Sequence, residues 1–444
     1  MAPTPRLDEA FLAAVDGRLA ATDDLLLRAY PGDDGRRQPV HTVYVPADRY
    51  TVDLPARWGS AAAALVAEHG GAEEVCRVAG VPEDLVGDVA QRLSAKLAAD
   101  PIEDLRLDFE DGYGDRGDGI EDRDAVGAAE RLADAVRDGV APAFAGLRFK
   151  CFEEPTRRRG IRTLDLFLAA LLDRLGSLPE GLVITFPKVS TVSQVEAMVE
   201  VCERLEEQHG LPRRRLGFEI QVETPQLIVG ADGTVPVARA VHAGDGRVTS
   251  LHYGTYDYSA SLQISAAFQA SDHPAADFAK QVMQVAVAGT TVHLSDGSTN
   301  VLPLGSADQV RAAWQLHAGL VRRALERGFY QGWDLHEHQL PTRYAATFAF
   351  YRAGLPSATA RLGAYVSRSA SQILDEPATA RALARYLQRG LACGAVAEEE
   401  VSGPTGLTAV QVAALARPRS DTTMTAAPTT PRTRPPHAVA NPKE

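Results

Sequence analysis

LGFEIQVETPQLIVGADGTVPVARAVHAGDGRVTSLHYGTYDYSAS, residues 216–261, decides the fold. It holds two apolar runs, each carrying an acid at its end. GFEIQVET closes on Glu223 and is stopped by Pro225, and RVTSLHYGTYDYS carries Asp257 just past Gly254. Both are rich in Ile, Val, Leu and Tyr, so both read as buried strands. An acid at the C-terminal end of a buried parallel strand is poorly placed for packing. It is well placed for chemistry, because barrel active sites gather at the strand C-termini. Two carboxylates on neighbouring strand ends make a hard-cation site. Mg2+ suits it, since that ion takes one or two protein carboxylates and keeps its other positions for water and substrate. Alternatively, Glu223 caps a helix after Pro225 and Asp257 sits in a turn.

The same alternation continues on both sides of this stretch. Upstream stand HTVYVPADRY (41–50), DLRLDFEDGYGD (104–115), FAGLRFKCFEE (144–154) and GLVITFPKV (181–189). Downstream stand TTVHLSDGST (290–299) and FYQGWDLHEHQLP (329–341). The spacing predicts eight strands, near residues 43, 107, 148, 184, 220, 251, 292 and 334, with helical patterns between most of them, such as 165–175. Alternating strands and helices imply a parallel sheet, and eight units fit an α/β fold of the (β/α)8 TIM barrel type. An open doubly wound sheet is the other option, but no GxGxxG or GxxxxGK loop follows any strand.

Outside the barrel, residues 10–30 show helical periodicity, so 1–40 form an N-terminal helical segment and 41–344 the barrel. Residues 345–416 read as a C-terminal helical region. The stretch 417–444 is Thr, Pro, Arg and Ala with almost no large apolar residue, and is expected to be a disordered tail.

Composition narrows the function. The 444 residues are 45% hydrophobic and 23% charged, with a net charge of −12. Nothing offsets phosphate repulsion, so nucleic acid and anionic membranes are poor partners. Cys76, Cys151, Cys202 and Cys393 form no CxxC pair, which argues against a zinc site or a disulfide framework. The N-terminus lacks the basic-then-apolar pattern of a secretory signal, and no window reaches the ~18–20 apolar residues of a membrane span. The expectation is a cytoplasmic, soluble chain, a homo-oligomer, acting on a small molecule.

Several charged residues fall at predicted strand ends: Asp108, Glu110 and Asp111, then Arg148 and Lys150, then Lys188, Glu223 and Asp257. In this order they resemble the HpcH/HpaI aldolase/citrate lyase family of phosphoenolpyruvate/pyruvate-type barrels. Tyr44–Arg49 (YVPADR) is similar to that family's opening strand, and Asp108-Phe109-Glu110-Asp111 to its DLED motif. Leu147-Arg148-Phe149-Lys150 resembles its substrate-binding Arg strand, Pro187-Lys188 its PK strand, and Val222-Glu223-Thr224 its metal-binding Glu motif. Asp257 matches its metal Asp, and Leu335-His336-Glu337-His338-Gln339 its closing IHPxQ. The chain departs from the family where LRFK lacks the usual Asn and where Glu337 replaces Pro. Malate synthases are similar at Gly254-Thr255-Tyr256-Asp257-Tyr258, and ILDEPATARA puts Asp375 or Glu376 near their C-terminal catalytic Asp, although Pro377 departs from that pattern.

The resemblance implies Glu223 and Asp257 on Mg2+, with Arg148 binding a substrate carboxylate or oxyanion. It also implies Glu110 as acid/base, with Asp111, Lys188 and His336 near the substrate. The implied reaction is cleavage or formation of a C–C bond through a metal-stabilised enolate of a small keto acid or acyl thioester. A malate-synthase-like acyltransferase, condensing an acyl-CoA with a 2-oxo acid, is the first alternative. A non-catalytic metabolite-binding barrel is the second.

Overall fold

The computed structural model describes residues 5–367 and 376–417. Its eight strands are β1 (His41–Pro46), β2 (Asp104–Asp108), β3 (Phe144–Arg148), β4 (Leu182–Phe186), β5 (Phe218–Val222), β6 (Val248–Tyr253), β7 (His293–Ser295) and β8 (Gly332–Asp334). All pair in parallel, in the order β7-β6-β5-β4-β3-β2-β1-β8. A bridge from Ser295 to Gln331 brings the two ends together. The chain is therefore a (β/α)8 TIM barrel with a C-terminal helical extension.

Alternation within the strands produces two layers of opposite chemistry. Leu105, Leu107, Leu147, Ile184, Ile220 and Leu251 are buried in one core with apolar residues of the surrounding helices. The residues between them point the other way. Arg106 on β2 donates from Nη2 to Glu219 Oε2 on β5 at 2.8 Å, and Tyr44 on β1 donates to Glu219 Oε1 at 3.3 Å. These strands are not neighbours, so their side chains meet through the barrel interior. That interior is polar. Burial alone would raise the Glu219 carboxyl, but Arg106 and His252 outweigh it and hold the group well below the carboxylate range. Charge pairing of this kind holds the strands in register, because leaving one buried charge unpaired costs about 3–5 kcal/mol.

The extension comprises the helices Leu340–Ser367, Pro377–Ala392, Glu398–Thr405 and Ala409–Ala416. They share a second core with the helices Glu83–Ala99 and Ala307–Glu326, through Leu93, Trp314, Tyr344, Phe348 and Leu387. Asp334, at the end of β8, joins barrel to extension. It is fully buried, and its carboxylate accepts from Arg343 at 2.7 Å while lying 2.9 Å from both His41 Nδ1 and His317 Nε2.

Some expectations shift in detail. The helix expected over 165–175 begins earlier, at Arg157. Asp257 is not on a strand: β6 ends at Tyr253, and Asp257 lies in the first turn of the helix Thr255–Ser261. The tail expected over 417–444 falls outside the described residues except for Arg417, and so does Asp375. Among the described residues, no helix is long and apolar enough to cross a membrane.

Candidate functional site

The C-terminal ends of β2 to β6 carry the charged residues singled out above. Arg148 ends β3 and is 2% exposed. Its planar edge is taken by Asp108, the last residue of β2, with Nε and Nη2 each 2.7 Å from a carboxylate oxygen. Glu110 is a secondary partner, at 3.4 Å from Nη1, and Gln221 Oε1 lies at the same distance. Asp108 holds Arg148 because strand register sets it directly opposite. The rings of Tyr44 and Trp333 lie 4.8 and 5.6 Å from the guanidinium carbon. Nη1 is the nitrogen on the edge away from Asp108.

Lys188 follows β4 and adopts a left-handed backbone, φ 50°. That is a costly conformation for a residue with a Cβ. It turns two donors toward the acids. The backbone N–H donates to Glu223 Oε1 at 2.7 Å, and Nζ donates to Glu110 Oε1 at 2.5 Å and Asp111 Oδ1 at 2.7 Å. Asp257 Oδ1 is 4.0 Å from the same ammonium. Burial draws the Lys188 ammonium down, but Glu110 and Asp111 outweigh it and raise its pKa.

Glu223 lies just past β5 and is 1% exposed. It does not cap the helix Pro225–Ile228, whose N-cap is Thr224. Burial pushes its carboxyl up to about 8, with Glu110 and Asp257 adding to the rise and Arg148 and Lys188 opposing it. Burial likewise lifts Glu110 to about 7 and raises Asp257. Asp111 is held low by Glu110 and Lys188 although burial opposes this. Gly254 makes room for Glu223: a Cβ at that position would stand 2.5 Å from Glu223 Cβ and 2.8 Å from its Oε2.

Asp108, Glu110, Asp111, Glu223 and Asp257 thus share one mouth with two cations, Arg148 and Lys188. The excess of carboxylates, and the unfavourable ionisation of Glu223, fit a hard dication at this mouth. His336 stands apart from this group. It is half-buried in the loop after β8, accepts from the His338 N–H at 3.1 Å, and lies 3.6 Å from Glu337. No hydrogen bond or ion pair joins it to Arg148, Lys188 or the five acids among the described residues. Glu376, at the start of the helix Pro377–Ala392, makes no side-chain cap. A cavity of about 510 Å³ opens at the opposite mouth, near Arg106, Glu219, Ser250 and His252, and none of the five acids lines it.

The roles of Asp108, Gln221, Tyr44, Trp333 and Gly254 are not among those the motifs imply. Gln221 was accessible: in FEIQVE it is two residues from both Glu219 and Glu223, hence on their face of the strand. Trp333 carries no such signal, because only closure of the barrel brings β8 beside β1.

Residues 19–420 match the model of a family described as a domain of unknown function, DUF6986. No curated protein matches the chain. Among solved structures, a citrate lyase from Burkholderia xenovorans LB400 is similar at 19% identity, over 84% of this chain and 97% of that one, with a TM-score of 0.53. CitE from Mycobacterium tuberculosis, solved with magnesium, acetoacetate and coenzyme A, aligns at 18% identity over 81% of this chain and 99% of that one, with a TM-score of 0.44. A Haloferax volcanii malate synthase, solved as a lead(II) complex, aligns at 15% identity over 60% and 70% of the two chains, with a TM-score of 0.45. At 19% identity the likeness to the Burkholderia citrate lyase is one of fold.

Proposed function

We propose that this chain, which belongs to the DUF6986 family, is a Mg2+-dependent carbon–carbon lyase acting on a small keto acid or acyl thioester. The observation that carries this is the crowding of five carboxylates and two cations at the C-terminal mouth of the barrel, with the buried Glu223 carboxyl raised to about 8. Unpaired, such a group is costly. A dication would relieve it, and a purely structural mouth has no need of it.

Glu223 and Asp257 would hold Mg2+. The ion would supply Lewis-acid polarisation of a keto or thioester oxygen. The remaining chemistry belongs to the chain. Arg148, locked by Asp108 and boxed by Tyr44 and Trp333, presents Nη1 as a fixed positive donor for a carboxylate or developing oxyanion. Glu110, raised to about 7, takes the hydroxyl proton as the C–C bond breaks, which leaves a carbonyl on one fragment and the bond's electron pair on the other, and it gives that proton to the fragment that keeps the pair; condensation runs the same transfers backwards. Lys188 and Asp111 keep Glu110 oriented, since Lys188 Nζ bridges both acids.

The test is to incubate the chain with Mg2+ and a panel of acyl-CoAs, 2-oxo acids and their hydroxy adducts, and to read the products by mass spectrometry in both directions. Cleavage or condensation that stops with EDTA and with Glu110→Gln supports the lyase. Conversion confined to pairs of acyl-CoA and 2-oxo acid, with release of free CoA, would move the assignment to the acyltransferase. Folded protein that converts nothing in the panel would leave a binding barrel.

A further inference from the structure

The N-terminal helix, Glu9–Ala29, has no buried residue. Its start is well made: Asp8 accepts the Phe11 N–H at 2.8 Å. Yet Phe11, Leu12, Val15, Leu19, Leu25 and Leu26 all face solvent, between 37% and 55% exposed. They are ordered in sequence. Leu12, Val15, Leu19, Thr22 and Leu26 follow the spacing three, four, three, four, with Thr22 the single polar step, and Phe11 and Leu25 each fall one position ahead of that seam. A stripe widened in this way belongs to a helix laid into a groove, and is broader than a two-position coiled-coil seam. Asp16 and Asp23 flank it on one side.

A groove of matching character lies on the barrel's outer surface. The helices Pro236–Ala243 and Pro274–Val287 enclose about 830 Å³ of open apolar space, lined by Val235, Ala238, Phe278, Val282 and Val285. Phe278 is 52% exposed and Val285 78%. Arg239 and His242 supply its positive edge. The chain's own N-terminal segment is pinned at this groove. Tyr30 packs edge-on against His242 with ring centroids 5.3 Å apart, and the Gly32 N–H donates to Gly289 O at 2.6 Å. The helix itself leaves the groove bare.

We propose that the helix Glu9–Ala29 of one copy docks in the Pro236–Ala243/Pro274–Val287 groove of a second copy, and the reverse, to form a two-fold dimer by arm exchange. One chain carries both halves of the contact, so a single two-fold axis satisfies both grooves at once. The charges agree, with Asp16 and Asp23 on the arm and Arg239 and His242 in the groove. The dimer does not depend on the chemistry proposed for the barrel mouth.

Light scattering on size-exclusion fractions of the full chain tests this. Wild type at micromolar concentration should show twice the chain mass. L19E/L26E in the arm and V285E in the groove should each show the chain mass, with circular dichroism unchanged because all three positions are exposed. Mixing the arm variant with the groove variant should recover a heterodimer, weaker than wild type, since one intact contact remains. R239E provides a second perturbation: it should weaken the dimer, and D16R/D23R on the same chain should restore it. A monomeric wild type, which includes the case of an arm folded onto its own groove, would overturn the proposal. So would a V285E protein as dimeric as wild type beside a monomeric L19E/L26E, because the arms would then pair with each other.

Discussion

Replacing Glu223 with Gln removes one charge and keeps the acceptor that the Lys188 N–H uses. The size of the effect follows from burial. The Glu223 carboxyl is raised from 4.5 to about 8, and the residue is 1% exposed, so solvent does little to screen it. Below pH 4.5 the folded and unfolded chains both hold the proton. Between the two values only the unfolded chain ionises, and stability falls as pH rises by ~1.4 kcal/mol per pH unit. From about pH 5 to about pH 8 the wild type in EDTA therefore loses about 4 kcal/mol through this group, and Glu223→Gln loses none of it. At an unfolding entropy of ~2 cal/mol/K per residue, a chain of 444 residues shifts its Tm by about 1 °C per kcal/mol. Calorimetry in EDTA should thus show the Tm of Glu223→Gln gaining about 4 °C on wild type between about pH 5 and about pH 8. Adding Mg2+ at the upper end of that range should raise the wild-type Tm and leave the variant unmoved. Parallel pH profiles in EDTA, or equal stabilisation of both proteins by Mg2+, would refute the assignment of Glu223 as a metal ligand.

Other substitutions probe the rest of the site. Arg148→Lys keeps a charge but loses the two-point grip on Asp108, so chemical denaturation should show a loss of about 3 kcal/mol and turnover should fall steeply. Wild-type turnover by Arg148→Lys would remove Nη1 from the mechanism. Gly254→Ala places a methyl against Glu223, and should abolish Mg2+ stabilisation while far-UV dichroism stays unchanged. Asp334 is held well below its usual range, because Arg343, His317 and His41 outweigh its burial. It therefore stabilises the fold above about pH 4 and loses that contribution as pH falls further. His317, lowered by its burial, loses stability in the same direction below about pH 6.5. Denaturation from about pH 7 to about pH 3 should show a progressive decline, and Asp334→Asn should flatten its acid limb while costing about 3–5 kcal/mol at neutral pH.

Much of this architecture is legible in the sequence. All eight strands lie where the apolar runs put them, because each run is flanked by turn residues and separated by a helical period. The polar interior is also written there. DLRLD and FEIQVE alternate strictly, although such runs read at first as uniformly buried. Asp257 shows a limit of the pattern: YGTYDYS has the composition of a strand, but Gly254 ends β6 and the next residues coil. Its carboxylate reaches the mouth from a helix turn. The grip of Asp108 on Arg148 depends on cross-strand register, which one strand's sequence does not contain. The left-handed backbone of Lys188 has no local signal either, since neither Gly nor Asn stands there.

Lys188 carries one more consequence. Its ammonium is a counter-ion tied to the end of a strand, between Glu110 and Asp111. A dissolved ion leaves when dilution favours leaving, whereas a tethered one keeps a fixed local concentration. Glu110 and Asp111 keep this partner at low ionic strength and under chelation alike. The mouth can thus keep its shape through every exchange of small ions with the medium. An incoming cation meets carboxylates already gathered, and does not have to assemble them from a repelling set.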